Sequence, residues 1–164
     1  MTPSPQENRL TFARSRGGRF QIGPATMQTI RRYIQDSPRK LEAGGVLLGR
    51  HIADSDDIIV DDLTVPIRGD RRGRYLFMRG HEAHQKVIDR AWRDSEGTCV
   101  YLGEWHTHPE PVPTPSSVDC INWKRKLKQD EFNGCVFFAI LGTQEVRVWE
   151  GHQGGAKLLP LYLK

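Results

Sequence analysis

Two imidazoles, a hydroxyl and a carboxylate occur within fourteen residues of this 164-residue chain, at His106, His108, Ser116 and Asp119. Side chains at i and i+2 project from the same face of a β-strand, so both histidines can reach one ligand if this segment is extended. Pro109 follows at once, and proline cannot continue a central strand, so the strand is predicted to end at His108. The loop after it can return Asp119 to the histidines. Two His nitrogens and one Asp oxygen with an open fourth position form the ligand set of a catalytic zinc.

The spacing of these residues (H-x-H, seven residues, S, two residues, D) resembles the signature of the JAB1/MPN/Mov34 family, the JAMM zinc metalloproteases. That family also carries an upstream glutamate in the pattern E-x-G-G-x-L-x-G, and here Glu42 begins the segment EAGGVLLG. The resemblance covers roughly residues 20–150. The segment GEWHTHPE at residues 103–110 is similar to the bacterial branch of the family, whose members often accompany E1-like and E2-like conjugating enzymes in anti-phage operons, including those termed CBASS.

The resemblance implies a role for each matched residue. His106, His108 and Asp119 hold one Zn²⁺, which lowers the pKa of its bound water toward about 7. Glu42 is the general base that accepts the proton of this water and passes it to the leaving amine. The Ser116 hydroxyl shares with zinc the stabilisation of the oxyanion. The implied reaction is hydrolysis of the amide after the C-terminal tail of a ubiquitin-like or conjugated protein, often an isopeptide on lysine.

The bacterial branch also implies partners. The enzyme would reverse an E1/E2-like conjugation in anti-phage defence, and the conjugated protein can be a nucleotidyltransferase that makes cyclic nucleotide signals. Two alternatives stay open: a zinc peptidase that processes sulfur-carrier or ubiquitin-like precursors, and a metal-free interaction scaffold, against which the five intact motif positions argue. A DNA-associated role is disfavoured because the sequence has no helix-turn-helix pattern and a formal charge of only +4.

Several of these residues have simpler interpretations. Ser116 and Asp119 form S-x-x-D before a predicted helix, which is also a capping box, and both roles can coexist. Glu104 shares the predicted strand face of the histidines and is a possible further ligand, but it does not match the family motif. The segment HEAH at residues 81–84 resembles the zincin motif, yet its histidines are i, i+3 rather than i, i+4, so His84 is predicted to face the core.

Composition indicates one soluble domain, with 37% hydrophobic and 27% charged residues. No window approaches 18 apolar residues and the N-terminus lacks an apolar h-region, so we expect a cytoplasmic protein without a membrane span. Cys99, Cys120 and Cys135 are odd in number and scattered, which favours reduced thiols. Basic clusters at 68–74 and 124–128 are interpreted as solvated surface rather than a specific nucleic-acid site.

The periodicity of apolar residues predicts a mixed α/β protein. We expect a flexible arm over residues 1–18 and a single JAB/MPN domain over 19–164. Helices are predicted over 24–36, 81–95 and 117–130, the last ended by Asn133-Gly134, and strands over 46–52, 58–63, 75–78, 98–108, 135–141, 145–150 and 158–163. The fold class is α/β, and the resemblance implies a curved mixed β-sheet flanked by helices, an α-β-α sandwich like that of cytidine deaminases.

Overall fold

A computed structural model describes residues 9–129, 132 and 134–164. Within them the chain forms three helices and eleven strands, as predicted for an α/β protein. The helices are α1 (Pro24–Arg31), α2 (His81–Asp94) and α3 (Ser117–Gln129). The strands are β1 (Leu10–Ala13), β2 (Arg19–Ile22), β3 (Gly44–His51), β4 (Ile58–Leu63), β5 (Arg71–Gly73), β6 (Leu76–Met78), β7 (Val100–Thr107), β8 (Cys135–Leu141), β9 (Val146–His152), β10 (Leu158–Pro160) and β11 (Tyr162–Leu163).

Nine of the described strands form one mixed sheet in the order β10-β9-β8-β7-β3-β4-β2-β1-β11, and β5 and β6 form a separate hairpin. The two outermost strands, β10 and β11, are separated in the chain only by Leu161. The sheet therefore curls until its edges nearly meet. Helix α1 buries Met27 and Ile30 in the core on the concave side, whereas Trp123 and Leu127 of α3 pack on the outer face of β8 and β9. The expected curved mixed sheet flanked by helices is confirmed.

Strand β1 corrects the prediction of a loose arm over residues 1–18. Residues 1–8 lie outside the described part of the chain, but Leu10–Ala13 pairs with both β2 and β11. The Phe12 side chain is buried against Phe20. The prediction failed here because the partner strand β11 lies about 150 residues away in the sequence, so nothing local in this polar stretch signals the pairing.

A β-bulge in β7 changes which side chains face the core. Pairing with β3 skips one residue, since Leu47 lies opposite Gly103 and Leu48 opposite Tyr101. Gly103 has φ 153°, and a Cβ there would lie 1.7 Å from the Phe137 carbonyl oxygen. Strict alternation predicts Tyr101 in the core with Trp105, but the bulge sends Leu102 into the core and turns Tyr101 toward the outer cluster around Trp123.

The helices also depart from their predicted extents. Helix α1 ends at Arg31 rather than near 36, and the chain continues in tight turns that place Gln35 in the interior. Helix α2 fully buries His84, whereas Trp92 near its C-terminal end is 55% exposed. The predicted stop signal of α3 includes Asn133, which lies outside the described residues. None of the helices described is long and apolar enough to span a membrane.

Candidate metal centre

Three side chains meet at the end of strand β7 with their potential ligand atoms in a compact triangle. The Nε2 atoms of His106 and His108 are 3.0 Å apart, and the Asp119 Oδ2 lies 3.3 Å and 3.2 Å from them. Ligands about 2.0–2.1 Å from a tetrahedral metal are separated by about 3.3–3.4 Å. The triangle therefore matches one face of a metal coordination tetrahedron, and its N/N/O donor set suits a borderline cation with one position left open.

Strand β7 orients both histidines. It runs between antiparallel β3 and parallel β8, with His106 opposite Gly44 on one side and Ile140 on the other. The regular strand ends at Thr107, but the His108 backbone N–H still donates to the Leu141 carbonyl at 2.9 Å. His108 therefore keeps the strand alternation that places its ring on the same face as His106.

Helix α3 brings Asp119, the third potential ligand, by means of a reciprocal cap. The Ser116 backbone N–H donates to Asp119 Oδ2 at 2.8 Å, and the Asp119 N–H donates to Ser116 Oγ at 3.1 Å. This is the predicted capping box, and the same Oδ2 faces the histidines. One carboxylate oxygen of Asp119 thus takes part in the cap and also completes the triangle.

Glu110 holds the outer side of the His108 ring, and sequence reasoning missed it. Its Oε1 lies 2.9 Å from His108 Nδ1 and also accepts the Thr114 backbone N–H at 2.8 Å. A carboxylate on the far nitrogen of a metal-binding histidine fixes the ring orientation and tautomer. The signal that could have found it is the sequence H-P-E, which places an acid two residues after the second histidine.

Glu42 enters the same centre from a position two residues before β3. It is only 6% exposed, and its Oε1 lies 3.9 Å from His108 Nε2. Its backbone is held by the β5–β6 hairpin, since the Glu42 N–H donates to the Gly73 carbonyl and Arg72 Nε donates to the Glu42 carbonyl. Burial raises the pKa of Glu42 to about 7, against the opposing attraction of His108. A carboxylate with this pKa is suited to take up and return a proton near neutral pH.

Electrostatic coupling within the triangle is strong. Burial alone would lower the pKa of His108, but hydrogen bonds with Asp119 and Glu110 outweigh it and raise the pKa to about 9. Burial alone would raise the pKa of Asp119, but hydrogen bonds from His106 and His108 hold it well below its usual range. In the absence of a cation, a proton on His108 thus balances the negative charge of the neighbouring carboxylates. A bound metal would take the place of this proton.

Two cavities flank the triangle and share the Phe77, Met78, Asp119 and Asn122 side chains in their walls. The larger, about 540 Å³, contains Glu42, Ser116 and the exposed apolar residues of the hairpin tip. The smaller, about 250 Å³, has both charged and aromatic side chains in its walls. It includes Glu104, which accepts hydrogen bonds from Arg79 and lies 3.3 Å from the Lys126 ammonium. Glu104 is therefore engaged by cations on the cavity wall and stands outside the ligand triangle.

The remaining sequence signals fall elsewhere. His84 is completely buried and bonds to Asp70 and Thr64, as expected for a core-facing histidine rather than a zincin ligand. The three cysteines are partly buried free thiols: Cys99, Cys120 and Cys135. Thus the structure assembles all five predicted site residues around one point.

Comparison with known proteins agrees with this geometry. Residues 25–151 match the family described as prokaryotic homologs of the JAB domain. A Pseudomonas aeruginosa protein named CD-NTase/cGAS isopeptidase is 42% identical over 106 residues, which are 65% of this chain and 66%, just under two thirds, of that protein. An Escherichia coli protein of the same name is 31% identical over 144 residues, 88% of each chain. A Desulfitobacterium hafniense protein solved in solution shares the fold, with TM-score 0.57 and 19% identity over 87% of this chain and 88% of its own. The match to the family covers most strands of the sheet and the whole ligand triangle. The chain therefore belongs to the prokaryotic JAB-domain family.

Proposed function

We propose that this protein is a zinc-dependent isopeptidase that hydrolyses the amide after the C-terminal tail of a ubiquitin-like or conjugated protein, reversing an E1/E2-like conjugation in bacterial anti-phage defence. The observation that carries the proposal is the N/N/O triangle of His106, His108 and Asp119 beside a buried glutamate. The names of the Pseudomonas and Escherichia relatives support a conjugate of a CD-NTase/cGAS-type nucleotidyltransferase as the substrate class.

His106, His108 and Asp119 would hold the zinc ion, which supplies Lewis-acid activation of water and of the scissile carbonyl. Glu42 takes the proton from the attacking water and delivers it to the departing lysine amine, a transfer for which its pKa of about 7 is suited. The Ser116 Oγ accepts the helix-capping N–H of Asp119, so its own hydroxyl proton can be donated to the developing oxyanion.

In the proposed reaction the substrate chain passes through the two cavities. An extended backbone that crosses the centre runs from one cavity into the other, beneath the hairpin residues Phe77 and Met78 that border both. Tyr75, Leu76 and Met78 are exposed along the wall of the larger cavity and offer apolar contacts to an extended tail. Strand addition beside such a short hairpin would hold the tail by its backbone and present one amide to the centre.

The test is cleavage of a defined conjugate. A bacterial CD-NTase joined through its C-terminal carboxyl to a lysine of a reporter protein is expected to be hydrolysed by the zinc-loaded protein and released with its C-terminus intact. A sulfur-carrier precursor, in which a peptide extension follows the C-terminal tail of the carrier, serves as the comparison substrate. Absence of cleavage of both substrates at about one zinc per chain would overturn the proposal and favour the scaffold role.

Zinc binding is expected to release protons. At pH 7 the His108 imidazole, with a pKa of about 9, carries a proton that a metal must displace, so the apparent zinc affinity should rise about tenfold per pH unit from pH 7 toward 9. Calorimetry in buffers of different ionisation enthalpy measures the number of protons released. The Glu110→Gln variant lacks one of the two hydrogen-bonding carboxylates that raise this pKa and should show a shallower dependence. An affinity independent of pH in wild type would contradict the assignment of His108.

A further inference from the structure

A buried polar network lies at the base of the β5–β6 hairpin, outside the metal centre. Asp70 accepts the backbone N–H of Ile67 at 2.8 Å and that of Gly80 at 2.7 Å, so one carboxylate joins the two ends of the segment that carries the hairpin. Its oxygens also lie 2.9 Å from His84 Nε2. His84 Nδ1 is in turn 2.6 Å from Thr64 Oγ1. We call Thr64, Asp70 and His84 the neck clasp.

The neck clasp is closed to solvent, and both ring nitrogens of His84 have hydrogen-bond partners within it. The side chains of His84 and Asp70 are 0% and 2% exposed. With the His84 Nε2–H donating to Asp70, its Nδ1 accepts the Thr64 hydroxyl, whose oxygen accepts the Val46 N–H at 2.8 Å. A charged group buried this deeply is costly unless each of its partners stays in place, so the clasp tolerates little displacement.

The clasp connects directly to the backbone that carries Glu42. Thr64 packs against Gly45, where an added Cβ would lie 2.1 Å from the Thr64 carbonyl oxygen, and Phe77 of the hairpin packs on Gly44 in the same manner. At the other end of the hairpin, Gly73 and Arg72 hydrogen-bond the Glu42 backbone on both sides. Residues toward the tip of the hairpin thus bind the Glu42 backbone, while the neck clasp holds the base of the hairpin.

We propose that Asp70 and His84 are positioning residues for the proposed reaction, because the neck clasp sets the place of the hairpin and, through it, of the Glu42 carboxylate. The proposal rests on the function proposed above. It accounts for the HEAH segment, whose second histidine serves this clasp rather than a metal. Neither residue lines either cavity or belongs to the ligand triangle, so each acts through the hairpin and through Thr64, which packs against Gly45.

The test uses Asp70→Asn in the full-length zinc-loaded protein. The amide nitrogen that replaces one oxygen cannot accept the N–H of Ile67 or Gly80, so the neck opens with little change in side-chain volume. We expect backbone amides of the hairpin and of Glu42 to exchange with deuterium at least tenfold faster and trypsin to cut more readily after Arg71, Arg72 or Arg74. We also expect kcat on the conjugate to fall about tenfold or more at unchanged zinc content. His84→Gln, which retains a donor toward Asp70, should show the same changes to a smaller degree and serves if Asp70→Asn does not fold.

The matched control is Glu150→Gln, which breaks the buried ion pair between Glu150 and Arg14. This pair lies beside Cys135 at the start of β8, whereas His108 lies beside the other end of that strand. It should lower Tm without selective exchange in the hairpin and without loss of kcat. Either of two results would overturn the positioning role. One is that deuterium exchange at Glu42 is unchanged in both clasp variants. The other is that deuterium exchange accelerates equally across the sheet in the clasp and control variants. If wild type cleaves neither substrate, the proposed function fails, whereas the exchange comparison still decides whether the clasp holds Glu42.

Discussion

Replacing Glu42 by glutamine is expected to reduce kcat on the conjugate by about 10²–10⁴-fold while the zinc content stays near one per chain. The size of the loss is typical for removal of a positioned general acid–base group. Metal should be retained because Glu42 Oε1 is 3.9 Å from the nearest ligand nitrogen and is not a corner of the ligand triangle. Stopped-time cleavage assays together with elemental analysis of the same preparation measure both quantities.

The same substitution should stabilise the metal-free protein at alkaline pH. Burial raises the pKa of Glu42 from 4.5 to about 7, so ionising this carboxylate costs the folded state stability as pH rises through that window. At pH 8 and above, Glu42→Gln removes a cost of at most about 3 kcal/mol, and at pH 4 the two proteins should be equally stable. Denaturant unfolding of the two apo-proteins at both pH values provides the measurement.

Glu82→Gln makes the same chemical change on the exposed face of α2, where Glu82 pairs loosely with Lys86. It should alter neither kcat nor stability by a measurable amount. A Glu42→Gln protein that cleaves at the wild-type rate would exclude Glu42 as the general base. A loss of zinc from that protein would instead assign Glu42 to the metal.

Replacing Asp119 by alanine is expected to abolish both metal binding and cleavage. The substitution removes one corner of the triangle, and even an outer contact to a ligand is worth about 10–100-fold in metal affinity, so the loss here should be at least about 10³-fold. It also removes the acceptor of the Ser116 N–H, at about 1 kcal/mol of stability in the apo-protein. Zinc titration with a competing chelator and thermal unfolding with and without zinc measure the two effects separately.

Ser116→Ala separates the cap from the metal. It removes the Oγ that accepts the Asp119 N–H but keeps the Asp119 carboxylate, so zinc should still bind. The cap loss should again be about 1 kcal/mol. If the hydroxyl also donates to the oxyanion, kcat should fall by about 10²–10³-fold at full zinc occupancy.

Full zinc binding by the Asp119→Ala protein would remove Asp119 from the ligand set, and its only remaining role would be that of a helix cap.

The ligand triangle was predictable because its geometry is largely local. Alternation along one strand places His106 and His108 on one face, Pro109 ends the strand, and a four-residue hydrogen-bond pattern fixes the start of α3. Each of these rules acts within a few residues, so spacing in the sequence translates into position in space.

Tertiary structure decided what depends on residues far apart in the chain. The pairing of β1 with β11, the bulge of β7 against β3 and the burial of Glu42 beneath the hairpin all arise from partners 30 or more residues away, and no local propensity encodes them.

From the sequence alone followed which atoms could hold a metal and which family chemistry they resemble. The neck clasp, the Glu110 contact and the two cavities became visible only in the fold. A carboxylate acquires a raised pKa or a structural partner from the desolvation and neighbours that folding supplies, and a residue's type and spacing do not carry that information.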